Sequence, residues 1–132
     1  MEKEKAVPYT PIKNEMCGVF IHVTDLKKSA QWYCDVLGLE VNPDNVESPV
    51  FNVPINGVTG LTLDDHAFDK SFVHHSSPSP IFNFRVTDID EAYTYIKGKG
   101  IPIVREMEWV GDDFAWFNFA DPDGNVIMAC TC

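Results

Sequence analysis

The chemistry open to this chain rests on few side chains: four histidines, four cysteines and two arginines, Arg85 and Arg105. His22 lies in Val19-Phe20-Ile21-His22-Val23, and Arg85 lies in Phe82-Asn83-Phe84-Arg85-Val86. An imidazole at such a place can bind a metal, move a proton or hydrogen-bond a ligand. A guanidinium can grip a carboxylate with two parallel bonds or stack on a ring. The plainer alternatives are a locally bonded wall residue for His22 and a sheet-edge salt bridge for Arg85. His66, His74 and His75 fall in a stretch rich in Ser, Pro and Asp, where a solvated loop is expected. Cys34 has no base near it in sequence and is expected to be buried, since a reactive thiol needs a base and some exposure. Cys130-x-Cys132 has no second pair at zinc spacing and reads as small filler or tail thiols. No Gly-rich phosphate loop and no nucleophile elbow occurs.

Two tandem copies of one strand-helix-strands unit position these groups. Val19-Phe20-Ile21-His22-Val23-Thr24-Asp25-Leu26 matches Phe82-Asn83-Phe84-Arg85-Val86-Thr87-Asp88-Ile89, with Val-Thr-Asp identical. In each copy a period-two apolar alternation runs into a helix start. Asp25 and Asp88 can cap the first turn by accepting its unpaired amide hydrogens, and Glu91 completes a capping-box pattern with Asp88. Apolar stripes follow at Leu26, Ala30, Tyr33 and Leu37, and at Ile89, Tyr93 and Ile96. Gly38 and Gly100 end the helices. Three strands are expected after each helix, at 39–42, 50–55 and 58–63, then at 102–107, 114–119 and 125–130. Asn56-Gly57 signals a hairpin, and Asp121-Pro122-Asp123-Gly124 a turn. The layout is an arm over 1–15, a first unit over 16–63, a linker or lid over 64–79 and a second unit over 80–132.

Strand parity sorts the side chains into two faces. Val19, Ile21 and Val23 point to one side of the first strand, as do Phe82, Phe84 and Val86 in the second copy. The opposite faces carry Gly18, Phe20 and His22; Ile81, Asn83 and Arg85; Trp116 and Asn118; and Val126, Met128 and Cys130. The candidate ligand-binding residues on those faces are His22, Arg85, Asn83, Trp116, Phe20, Asn118 and Met128. Aromatic walls with a few polar groups are the usual form of a small-ligand site. Trp116 can stack on a flat ligand, or fill the core. Trp32 reads as helix packing, and Trp109 as a cover near a turn.

The block Val-Thr-Asp-Leu-Lys-Lys-Ser-x-x-Trp-Tyr-x-x-x-Leu-Gly-Leu, followed late by Asp-Pro-Asp-Gly-Asn, resembles the vicinal oxygen chelate superfamily. That superfamily includes glyoxalase I, bleomycin-resistance proteins, fosfomycin-resistance enzymes and extradiol dioxygenases. The resemblance spans about residues 16 to 130. It implies an α+β fold in which tandem βαβββ modules form a cup-shaped mixed sheet, with helices on the outer face and often a homodimer. It also implies where metal ligands would stand: at Gly18, at Ile81 and at Met128, with Leu61 and Leu63 at the end of the fourth strand. None of these side chains suits a divalent metal that wants imidazole or carboxylate. The resemblance therefore implies a member with no metal cofactor, or one whose divalent metal has moved to a site including His22.

Bulk properties narrow the partners. The net charge of −10 speaks against nucleic acid, which needs a basic face, and against anionic membranes. It permits a cationic ligand, and Glu106, Glu108, Asp112 and Asp113 crowd one hairpin. Met1-Glu2-Lys3-Glu4-Lys5 lacks an apolar segment, so a cytoplasmic protein with reduced thiols is expected. Three functions stay open: a small-molecule-binding protein, a lyase or dioxygenase with a relocated metal, and a non-catalytic interaction module.

Overall fold

The computed structural model describes residues 9–132, so most of the arm over 1–15 lies outside the described residues; residues 9–17 form no helix or strand. The element order is β1 (Gly18–His22), α1 (Leu26–Val36), a 3-10 turn (Pro43–Asn45), β2 (Val50–Val53), β3 (Gly60–Asp64), β4 (Asn83–Arg85), α2 (Ile89–Gly98), β5 (Ile103–Val110), β6 (Phe114–Ala120) and β7 (Val126–Cys130). One sheet has the order β1-β3-β2 and the other β4-β7-β6-β5. In each, the first strand runs parallel to the last strand of its unit, and the last strand runs antiparallel to the one before it. The fold is α+β, as the resemblance implied.

Each helix begins for the reason its sequence gives. Asp25 accepts from the Lys28 amide at 3.1 Å, and Asp88 accepts from the Glu91 amide at 3.1 Å. Only the Asp half of the expected capping box forms. Gly38 and Gly100 take left-handed φ values of 70° and 74°, which terminate both helices at no steric cost. Of the stripes, Leu26, Ala30, Tyr33, Ile89 and Ile96 are buried and Leu37 and Tyr93 are half-buried; they pack with the fully buried Ile21, Leu63, Phe117 and Ile127 of the strands. All of them join one hydrophobic core.

Two local expectations fail. No strand forms over 39–42. Asn42 instead accepts from the Asp44 amide at 3.0 Å and caps the 3-10 turn, whose first residue is Pro43. A proline brings no ladder donor, so pairing stops there. Nor does Asn56-Gly57 make a two-residue hairpin. β2 ends at Val53 and β3 starts at Gly60, so a longer connection joins them, and Gly57 sits in it at φ 102°.

The Asp121-Pro122-Asp123-Gly124 turn forms and does more than turn the chain. The Gly124 amide donates to the Asp121 carbonyl at 3.0 Å. Asp121, 6% exposed, accepts four hydrogen bonds. They come from the Tyr33 hydroxyl at 2.7 Å, the amides of Asp123 and Asn125 at 2.9 and 2.8 Å, and Asn125 Nδ2 at 2.9 Å. Asn125 Nδ2 also donates to the His22 carbonyl at 2.9 Å. Asp123 in turn accepts from Thr24, whose hydroxyl donates at 2.5 Å. The late turn of the second unit thus locks onto β1 and α1 of the first.

The Tyr33 hydroxyl is held protonated: burial and the Asp121 carboxylate push its pKa far above the ordinary tyrosine value. Removing that donor leaves a buried carboxylate short of one partner. Tyr33→Phe is expected to lower stability by about 1.5–3 kcal/mol, seen as a lower urea midpoint with an unchanged m-value. An unmoved midpoint would refute the lock.

Candidate functional site

The repeat predicts two equivalent seams where the units meet. Phe20 pairs with Thr62 and Asn83 pairs with Met128, and each first-strand residue stands five before its capping Asp. On this equivalence His22 corresponds to Arg85, Ile55 to Asp121, Gly57 to Asp123 and Ile96 to Tyr33. The second seam therefore has neither the carboxylates nor the phenol that lock the first. At that unlocked seam lies a cavity of about 480 Å³. Leu37, Leu39, Ile55, Phe82 and Phe84 make its apolar wall, and Asn83 and Arg85 supply polar groups. No carboxylate lines it. Among the described residues, Arg85 forms no salt bridge and no side-chain hydrogen bond to protein.

The locked seam holds a smaller cavity of about 330 Å³, lined by Phe20, His22, Phe72, His74, Ile81 and Asn125 among others. The segment between the units folds over it. Here the expectation of solvated linker histidines is corrected for two of three: His66 and His74 are partly buried, and His75 is exposed. The His66 amide donates to Asp64 Oδ1 at 2.8 Å, and His66 takes φ 57°, uncommon for a non-glycine residue. Its ring stacks on Phe72 with centroids 3.6 Å apart. His22 Nδ1 and His66 Nε2 then meet at 2.5 Å, so one nitrogen must carry the proton and the other accept it. His74 Nε2 lies 3.2 Å from the Asp123 carbonyl and donates to it. Burial first, and then the neighbouring His66, hold the His22 pKa below the usual histidine value, with Asp64 acting in the opposite direction and His74 adding to the fall.

Register places the remaining candidates. Asn83, Met128 and Asn118 are paired neighbours in one row across β4, β7 and β6, and Arg85, Cys130 and Trp116 form the next. Five of the seven candidates therefore share the second sheet, while Phe20 and His22 stand on the first. His22, Arg85 and Trp116 do not line a common cavity: Arg85 borders the larger and His22 the smaller. Arg105 lies over the Trp116 ring, 5.0 Å from its centroid, and covers it. Asn118 Oδ1 is buried and meets no protein donor. The acidic hairpin is partly engaged within the protein: Tyr93 donates to Glu106 at 2.6 Å, and Arg105 donates to both Glu108 oxygens at 3.0 and 3.1 Å.

The positions that the resemblance implies for metal ligands do not fit a divalent ion. Gly18, Ile81 and Met128 offer no imidazole or carboxylate. A Cβ on Gly18 would stand 3.2 Å from the Gly60 carbonyl oxygen, so a side chain there needs the backbone to shift. Leu61 and Leu63 are buried in the core, and the residues of β3 alternating with them are Gly60, Thr62 and Asp64. Asp64, paired in register with His22, is the site residue that sequence reasoning missed. The same parity that placed His22 would have found it. Among the described residues, no three His, Cys, Asp or Glu side chains are arranged to hold a metal ion.

A family model described as the Glyoxalase/Bleomycin resistance protein/Dioxygenase superfamily matches residues 17–129. No curated protein matches the chain significantly. Similar solved structures include a member of that superfamily from Sphaerobacter thermophilus DSM 20745, at TM-score 0.68 and 21% identity over 89% of this chain and 97% of that one. A lactoylglutathione lyase from Agrobacterium tumefaciens is similar at TM-score 0.64 and 20% identity, covering 90% and 94% of the two chains. Oxidase ChaP-H1 is similar at TM-score 0.63 and 23% identity, covering 91% and 97%. At these identities the likeness concerns the fold. No helix among the described residues is long and apolar enough to cross a membrane.

The lowered His22 pKa sets a direction for stability. The folded state resists protonating His22, while the unfolded chain takes the proton near the ordinary value of about 6.5. Below that pH the unfolded state binds more protons, so stability falls as pH drops from about 6.5 toward the folded pKa. In His22→Gln this part of the acid slope should vanish, as read by urea midpoints at a series of pH values. An identical slope in the variant would show that His22 is not the group concerned.

Proposed function

The chain belongs to the Glyoxalase/Bleomycin resistance protein/Dioxygenase superfamily, and from that premise we propose that it binds a small organic acid at the unlocked seam, beside Arg85, without a metal in the family's position. The observation that carries this reading is a guanidinium with no ion pair among the described residues, at an apolar cavity in a protein with 20 acidic and 10 basic residues. A cavity of about 480 Å³ falls within the usual range for small-molecule sites. Its apolar wall suits a hydrocarbon or aromatic body. Arg85 suits a carboxylate or sulfonate, which it can hold with two parallel bonds. A cationic ligand is the poorer fit there, because the lining offers it no carboxylate. The mismatch at Gly18, Ile81 and Met128 removes the Lewis acid from the positions where the family resemblance puts it, which favours holding a ligand over transforming it.

The partner proposed for the assembled protein is a second copy of the chain. Phe20, Val50 and Ile81 are 58%, 41% and 44% exposed, and Phe20 and Val50 lie on the face of β1 and β2 turned away from the core. Burying such side chains against a second copy would remove apolar surface from water. Phe20→Glu is expected to shift a dimer to monomer in sedimentation equilibrium. A monomer in the unsubstituted protein would end the proposal.

Anilinonaphthalene sulfonate, a small anion with an aromatic body, is a direct probe of the cavity. Stoichiometric binding is expected, unchanged after EDTA dialysis. A charge-assisted bond of about 1.5–3 kcal/mol corresponds to a loss of about 10- to 100-fold in affinity in Arg85→Met, with a smaller loss in Arg85→Lys. Equal affinity in Arg85→Met, or binding that appears only with added Zn²⁺ or Mn²⁺, would overturn the reading.

A further inference from the structure

The end of β7 carries a pair of thiols that the ligand site does not use. Cys130 is fully buried and Cys132 is exposed, and their sulfurs stand 3.0 Å apart with the Cys130 thiol donating to Cys132 Sγ. The residue between them is pinned. The Thr131 amide donates to the Ala115 carbonyl at 3.0 Å, the Ala115 amide donates to Thr131 Oγ1 at 2.9 Å, and Thr131 Oγ1 donates to the Asp113 carbonyl at 3.0 Å. On the other side, the Val86 amide donates to the Cys130 carbonyl at 2.8 Å. The two sulfurs are thus held together by a fixed backbone. Two residues of extended chain span about 6.6 Å between Cα atoms, within the upper reach of a disulfide.

We propose that Cys130 and Cys132 are a reversible redox pair, which closes to an intramolecular disulfide by exchange with small-molecule disulfides of the glutathione class. The exposed Cys132 thiolate attacks one sulfur of the small disulfide. Its S–S bond breaks, one small thiol leaves with a proton from solvent, and a mixed disulfide remains on Cys132. Cys130 then loses its proton to solvent and attacks Cys132 Sγ, and the second small thiol leaves. The protein gives up two electrons and two protons, and the small disulfide becomes two thiols. Cys130 is the slower partner, because burial, and then its bond to Cys132, push its thiol up to about 11. Arg85, the register partner of Cys130 on β4, acts in the opposite direction and favours the Cys130 thiolate.

The test incubates the full chain with oxidised glutathione and follows intact mass and mapped peptides. The expected product is a chain with no interchain disulfide in which the peptide holding Cys130 and Cys132 is lighter by two hydrogen atoms, whatever adduct the exposed Cys17 carries, and dithiothreitol restores it. Ring closure is expected to speed up about tenfold per pH unit between roughly pH 7 and 9, as the Cys130 thiolate fraction grows. Cys130→Ser should trap glutathione on Cys132. Cys132→Ser, which changes only an exposed side chain, should give neither ring nor adduct at Cys130. Glutathione persisting on Cys132 of the unsubstituted chain, an interchain disulfide through Cys132, or an unmodified pair would each overturn the proposal.

Discussion

The structure depends on one buried carboxylate. Asp121 lies inside the protein and would be costly there without partners, since an ion in a low-dielectric interior loses its hydration. Four donors replace that water, and they come from two different parts of the chain. Two are backbone amides of its own turn, one is the adjacent Asn125, and the fourth is a phenol of α1 in the other unit. The bond to Tyr33 at Oδ2 therefore joins the units through the same carboxylate whose Oδ1 shapes the turn. Asn125 extends the join to the His22 carbonyl. The position of His22 against the linker follows from this lock, because it fixes the end of β1 relative to β7.

A repeat built on one lock rather than two is necessarily asymmetric. Where the second unit has Asp121 and Asp123, the first has Ile55 and Gly57, and where α1 has Tyr33, α2 has Ile96. Polar contacts cross both seams: beside Leu37, Lys99 donates to Asp35 at 2.9 Å and the Tyr95 hydroxyl to the Asp35 and Val36 carbonyls at 3.2 and 3.1 Å, but only the other seam is tied by a buried carboxylate. At the tied seam the linker closes down, with His66 stacked on Phe72 and His74 bonded to the locking turn. At the untied seam an apolar cavity remains, with a guanidinium where the other copy has an imidazole. The two copies thus share the residues that build helices and sheets, and differ in the residues that decide what each seam can hold.

What the sequence made legible was the local part. Period-two runs marked β1 and β4, the Asp caps marked both helices, and parity put Phe20, His22, Asn83 and Arg85 on the faces away from the core. These features depend on neighbours within a few residues. The strand expected over 39–42 failed because Asn42 found a closer partner in the Asp44 amide than any ladder could offer. The histidines at 66 and 74 were misread because their burial comes from contacts with Phe72 and Asp123 that no local pattern announces. The separation of His22 from Arg85 was likewise invisible. Parity says which face a residue occupies, and not which seam that face borders.

That separation bears on what the molecule can do to a ligand. A general base must come within about 3 Å of the proton it takes. The residues lining the cavity beside Arg85 include no histidine and no carboxylate, and they share no member with those lining the cavity of His22. An anion held by Arg85 inside that cavity meets Asn56, Thr59, Asn83 and apolar wall, while Asp88 and Glu91 lie with Arg85 on a separate cavity. His22, for its part, faces His66, and desolvation and that neighbour lower its pKa, which suits a hydrogen-bonded wall better than an anion grip. Gly18, Ile81 and Met128 stand where the resemblance places metal ligands, and no histidine or carboxylate lines the cavity of about 480 Å³. The proposed binding of an anion at Arg85 rests on this separation of the two cavities.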